Sequence, residues 1–264
     1  MDTMNVDQAV FASSDRGTTK GYQLVSKSIG VDRAIGTALS HWAPTRLPSE
    51  NVNHWSINAF PVSDDRFAIS RTVVGGPEYS GRGGREVVTL FLLLSNEQFA
   101  FYEWDAIAVA RTAIAMGMLR LPLQIEGDQL PQAMIPSRPI MNSMDLADGQ
   151  PDEDVNESML DDVIAILNDS RRVALIGLND PILTATRLVA RLPIQARQNF
   201  SFTTGLPPSV HRPFHAHFFS SEVTLKQHAL EAQKVVCFHA QKKFEQYRSQ
   251  VLVQQGSVGV PHGM

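Results

Sequence analysis

The sequence predicts an α+β fold, a mixed α/β chain with a mostly antiparallel or mixed sheet and flanking helices. Three observations carry this. Paired alternating segments with turn chemistry fill the first third, the apolar run Val87–Leu94 reads as a strand buried on both faces, and capped helical patterns with 3.6-residue spacing follow.

In chain order, Gln8–Ala12 and Gly21–Lys27 read as strands around the turn-rich stretch Ser13–Lys20. A helix from Asp32 to Trp42 places Ala34, Ile35, Ala38, Leu39 and Trp42 on one side, with Asp32 able to cap it and Pro44 ending it. Ser56–Val62 and Phe67–Val74 form a second hairpin around Ser63-Asp64-Asp65-Arg66, closing at Gly75-Gly76-Pro77. Ser95 and Gln98 have the spacing of a capping box, and a further helix is expected from Asp105 to Leu119. From Leu121 to Asn156 prolines, acids and amides displace periodicity, the pattern of a linker. Beyond it come a helix at Met159–Leu167, a strand at Val173–Gly177 and a helix at Ile182–Arg191 introduced by Asn179-Asp180-Pro181. Strands at Asn199–Thr204 and Phe214–Phe219 follow, then a polar helix and tail from Gln241. The organisation so read is a hairpin-rich N-terminal lobe over 1–124, an acidic, proline-rich linker over 125–157, an α/β lobe over 158–240 and a tail over 241–264.

Composition narrows the function. No apolar run reaches the 18 or so residues of a membrane span, and Met1-Asp2-Thr3-Met4-Asn5 has neither a basic nor an apolar leader region, so a cytoplasmic protein is expected. Cys237 is the only cysteine, which excludes an intrachain disulfide, and its neighbours Val235, Val236 and Phe238 predict a buried, inert thiol. Nine acidic residues and no Lys or Arg fall between Pro139 and Ser170; the rest keeps 18 acids against all 23 basic residues, a surplus of five positive charges. So small a surplus over so long a chain is a poor nucleic-acid signature. The acidic stretch reads as a solvated linker, with a mask over a basic surface as the alternative.

The most informative segment is Glu78-Tyr79-Ser80-Gly81-Arg82-Gly83-Gly84-Arg85. Its glycines and arginines between two strands suit a partner or an anion, and Glu78, Tyr79, Arg82, Gly83, Gly84 and Arg85 are the candidate binding residues. It lacks the spacing of a P-loop and leads into a strand, so no helix N-terminus faces a phosphate. A plain strand connection with glycines at positive φ is the bland reading. His211, His215 and His217 have no HExxH context and no nearby carboxylate, and read as surface or loop histidines. Gly-x-Ser-x-Gly is absent. No catalytic residue, metal or cofactor is therefore expected.

Phe11-Ala12-Ser13 with Gly21-Tyr22-Gln23-Leu24-Val25, the glycine and arginine segment with Val87-Val88-Thr89, and Leu192-Pro193 through Arg197 to Ser201-Phe202-Thr203-Thr204-Gly205-Leu206 form a set. Together they resemble the N-terminal domain of bacterial GTPase-associated proteins, accessory to GTPases in conflict or regulatory systems. Motifs spread this far in one order imply two interwoven lobes of a single fold. A histidine often found in the central strand of such proteins stands here as Leu90. The glycine and arginine loop without a nucleophile, metal set or P-loop predicts a non-catalytic recognition or adaptor module that binds a protein partner or an anionic ligand; the resemblance implies a GTPase as a candidate partner, and composition speaks against a membrane or nucleic-acid role. The alternative is a hydrolase or nucleotide-processing enzyme using Glu78, Arg82 and a histidine in a cleft around the same loop.

Overall fold

The computed structural model describes residues 2–15, 20–48, 55–78, 84–121, 129–147, 155–220, 230 and 232–240. The expected first hairpin is β1 (Thr3–Ser14) against β2 (Gly21–Lys27), the second is β3 (Trp55–Ser63) against β4 (Arg66–Pro77), and the apolar run is β5 (Arg85–Ser95). Ser13 and Ser14, expected in a turn, extend β1. Between the hairpins lies α1 (Arg33–Trp42), and after β5 come α2 (Asn96–Ala100) and α3 (Ala106–Ala115). Each helix begins where an acceptor side chain meets an otherwise unpaired amide: Asp32 accepts from the Ile35 N–H, Asp105 from Ala108, and Ser95 and Gln98 complete a reciprocal capping box. α3 stops short of Leu119 because Gly117 and Leu119 turn to positive φ.

The stretch expected as a linker contains β6 (Ala133–Pro136), paired with the start of β1, and α4 (Ser143–Ala147). Asp105 holds α4 in place by accepting from both the Ser143 N–H (2.7 Å) and its hydroxyl (2.8 Å). The remainder alternates strand and helix: α5 (Glu157–Asn168), β7 (Arg172–Leu178), α6 (Pro181–Arg191), α7 (Ile194–Arg197), β8 (Phe202–Thr203), β9 (Ala216–Ser220) and β10 (Val235–His239). Only two residues of the strand expected at Asn199–Thr204 enter the ladder. Cys237 sits in β10 and is half-buried instead of enclosed.

These strands make one mixed sheet in the order β10-β7-β9-β8-β3-β4-β5-β1-β2, with β6 on β1. From β10 to β8 the neighbours run parallel, and from β8 through β3 to β2 they run antiparallel. Alternation sorts the side chains of β5: Val88, Leu90, Leu92 and Leu94 join α3, α5 and α6 in one core, whereas Phe91 and Leu93 face α1 in a second. Burial on both faces explains why this strand carries no polar alternation.

At the seam between the two directions the sheet is polar inside. Asn58 of β3 donates to the Ser70 and Thr72 hydroxyls of β4 (3.1 and 3.2 Å) and accepts from Thr203 of β8 (2.6 Å), while Thr72 meets Thr89 of β5 at 3.1 Å. All five are nearly inaccessible, and a buried polar group costs stability unless satisfied, so the network fixes which strand lies beside which.

Candidate functional site

The glycine and arginine segment connects β4 to β5, as a strand-to-strand loop. Tyr79, Arg82 and Gly83 lie outside the described residues, whereas Glu78, Gly84 and Arg85 form its base. There the two strands close through a Glu78 N–H donating to the Gly84 carbonyl at 2.9 Å and the pairing of Pro77 with Arg85. A bulge between Val74 and Pro77 precedes this closure. A Cβ on Gly75 would lie 2.6 Å from Glu86 Cγ and 2.9 Å from a Val88 methyl, so only glycine lets the Glu86 stem rest on β4. The Arg85 Nε donates to the Gly75 carbonyl at 3.3 Å, which ties the arginine to the same bulge.

A cleft of about 740 Å³ opens beside the loop base, walled by Glu78, Gly84, Arg85 and Glu86 on one side and by Tyr22, Arg46 and Leu47 on the other. Its origin is a divergence of strands. β1 follows β5 from Asp7–Leu93 only as far as Phe11–Thr89 and then continues to Ser14 with β2 alone. The end of β5 is left without its β1 neighbour, and the Tyr22 phenol of β2 reaches into the gap to accept from the Val87 N–H at 3.0 Å. Phe11 stacks on the Tyr22 ring at 5.8 Å and holds it there. Thr45, Arg46 and Leu47 come from the chain leaving α1, which Pro44 ends as expected.

Burial pushes the Glu86 carboxyl above its ordinary range, and the negative charge of Glu78 adds to this, against a lowering by the Gly76 N–H. The Tyr22 phenol is raised mainly by burial and further by Glu78 and Glu86, with the Val87 hydrogen bond and Arg46 opposing. The cleft therefore offers a half-buried carboxyl, a phenol and two guanidinium groups to a ligand.

The histidines lie elsewhere. His211 is exposed. His217, expected at the surface or in a loop, is fully buried: its Nδ1–H donates to the Leu206 carbonyl (3.2 Å), Nε2 has no partner among the described residues, and burial lowers its pKa to about 4. His215 accepts at Nδ1 from the Ser201 N–H (3.0 Å) and lies 2.9 Å from the Ser201 hydroxyl. This pair has the spacing of a nucleophile and base, yet Ser201 is only 2% exposed and its hydroxyl in turn accepts from the His215 N–H. It fastens the approach to β8 onto the approach to β9. Among the described residues no group of three or more His, Cys, Asp or Glu side chains could hold a metal ion. No described helix is long and apolar enough to cross a membrane.

The sequence reading singled out the loop but not Tyr22, Arg46 or Glu86 as site residues. Glu86 carried a readable signal, a charged residue opening an otherwise apolar strand. Tyr22 and Arg46 are brought in only by the divergence of β1 and the path out of α1.

Residues 5–124 match the family model described as GTPase-associated protein 1, N-terminal domain type 2. The match spans every strand that walls the cleft and supports the family resemblance of the N-terminal motifs, whereas the set from Leu192 to Leu206 lies beyond it. No curated protein and no solved structure matches the chain.

Proposed function

We propose, from the premise that residues 5–124 are a GTPase-associated protein N-terminal domain, that this chain is a non-catalytic cytoplasmic recognition module. It acts with a GTPase-linked bacterial system and binds a protein partner or an anionic ligand through the loop Glu78–Arg85. One observation carries the reading: the base of that loop, at Glu78, Gly84 and Arg85, is a wall of a cleft and is anchored to a strand buried on both faces. A loop so anchored presents its groups without ordering the strand beneath it, which lowers the entropic cost of binding.

The test is capture from the native host by the full chain, with Arg82→Ala/Arg85→Ala as the comparison. Wild type is expected to retain a GTPase, and the double variant to lose it while its unfolding free energy moves by less than about 1 kcal/mol, the usual range for exposed substitutions. Retention of the GTPase by the variant would overturn the reading, as would a large loss of stability with capture intact.

A second reading is favoured by one observation, the raised carboxyl of Glu86 beside the Tyr22 phenol. That is the protonation behaviour of a general acid, and a hydrolase or nucleotide-processing enzyme would use it so. Turnover of a nucleoside triphosphate or phosphodiester that Glu86→Gln abolishes would replace the module by this enzyme.

A further inference from the structure

We propose that the cleft receives an extended, basic segment of the partner, which adds to the free edge of β5 and sets a Lys or Arg side chain against Glu86. This rests on the reading of the cleft as the recognition site and names the chemistry that fits it.

The first support is the strand edge. Gly84 directs its carbonyl toward β4, where it accepts from Glu78, so in a strand of period two the backbone groups of Arg85 and Val87 point to the opposite edge. The Val87 N–H confirms that direction by donating to Tyr22 on the far side of the gap. Among the described residues β1 pairs with β5 no further than Thr89, so the N–H and C=O of Arg85 and the C=O of Val87 face the cleft, where a further strand would meet them. Addition of an extended peptide to such an edge is a general recognition mode, in which backbone bonds hold the segment and side chains select it.

The second support is charge. Glu86 lines the cleft with its stem against Gly75, and among the described residues no cation is paired with it. Arg85, the nearest guanidinium in sequence, is directed to the Gly75 carbonyl, and Arg46 stands on the opposite wall beside Tyr22. Glu78 lies close enough to raise the Glu86 carboxyl further. A half-buried carboxylate that no described cation pairs gains from a cation that arrives with the ligand, whereas an acidic side chain set against it would meet a like charge.

The test is fluorescence anisotropy on the full chain with labelled pentapeptides of the pattern Val-Thr-X-Thr-Val. The arginine- and lysine-centred peptides are expected to bind, the glutamate-centred one to bind on the order of tenfold more weakly, and backbone N-methylation to abolish binding. Glu86→Gln should remove the preference for a basic centre, and Glu86→Lys should reverse it, with thermal melting showing that both variants are folded. Equal affinity for all centres, indifference to N-methylation, or no binding by any peptide overturns the proposal. Inorganic phosphate, titrated alone, separates the two levels: if it binds in an Arg85-dependent manner and no peptide does, the basic segment is wrong and the recognition loop stands. If peptides bind as expected while the arginine double variant still captures the GTPase, the proposal stands and the loop reading falls.

Discussion

The two halves of the sheet are built differently, and the site belongs to one of them. The antiparallel half uses long strands, 12 residues in β1 and β4 and 11 in β5, joined by hairpins. The parallel half uses strands of two to seven residues, and its β7 and β8 are linked through α6 and α7. In the antiparallel half β1 leaves β5 beyond Phe11, which opens the cleft. The matched family region, residues 5–124, contains the antiparallel strands β1 to β5 and none of β7 to β10. The proposed recognition site therefore lies in the antiparallel half.

The largest expected effect comes from breaking the join between them. Phe202 of β8 is wholly buried, pairs with Ala59 on one side and Ala216 on the other, and meets Phe218 edge-to-face at 6.2 Å. Phe202→Ala should cost about 3–5 kcal/mol in denaturant unfolding. The three tryptophans, Trp42, Trp55 and Trp104, all stand in the antiparallel half, and Trp42 meets Phe214 at 4.9 Å, so their fluorescence reports that half and its contact with the other, whereas far-UV circular dichroism reports both throughout. Both traces are expected to shift together. Fluorescence that holds while the dichroism shifts would mean that the halves unfold independently and that the seam does not couple them.

The seam also carries a pH signature. His217 lies beside Thr203 in the ladder, and its pKa falls from 6.5 to about 4 through burial, with Arg172 and Arg212 adding to the lowering and the Leu206 carbonyl opposing it. Between these values the unfolded chain binds a proton that the native state refuses, so stability declines as pH falls from 6.5 to about 4 and this contribution then levels off. At about 1.4 kcal/mol per unit the loss from this residue is roughly 3 kcal/mol. His215, also lowered by burial and by Arg172, adds to it in the same direction. His217→Leu should flatten the pH dependence of the denaturation midpoint relative to wild type; an unchanged slope would place the acid sensitivity elsewhere.

The halves were unequally legible in the sequence for the same reason that they differ in build. Hairpins declare themselves locally, through Asp64-Asp65 at a turn or the uninterrupted run from Val87 to Leu94, and the caps at Asp32, Ser95 and Asp105 act within three residues. β6 and β10 do not, and of the strand read at Asn199–Thr204 only Phe202 and Thr203 enter the ladder, where β3 and β9 lie on either side. His217 was misread for a related cause, since a histidine near a loop looks exposed until Phe214 and Leu206 close over it. Of the site, the loop base was legible as glycine and arginine between strands. Its facing wall was not, because Tyr22 and Arg46 arrive from distant segments through the splaying of β1.

The smallest expected effect lies on the outer surface of the parallel half and bears on the acidic stretch. Two of its nine acids, Glu157 and Asp161 of α5, pair with arginines of α6: Arg187 and Arg191 both meet the Glu157 carboxylate, and Arg191 also reaches Asp161 at 2.9 Å. To that extent the stretch covers a basic helix face instead of standing free in solvent. The Glu157 and Asp161 side chains are nevertheless 58% and 70% exposed, so water and salt screen the attraction. Arg191→Ala should therefore cost less than about 1 kcal/mol and the difference should vanish in high salt. A loss above about 2 kcal/mol that high salt removes would show that charge holds α5 beyond its buried Leu160 and Val163, and would make the acidic stretch a structural part of the parallel half.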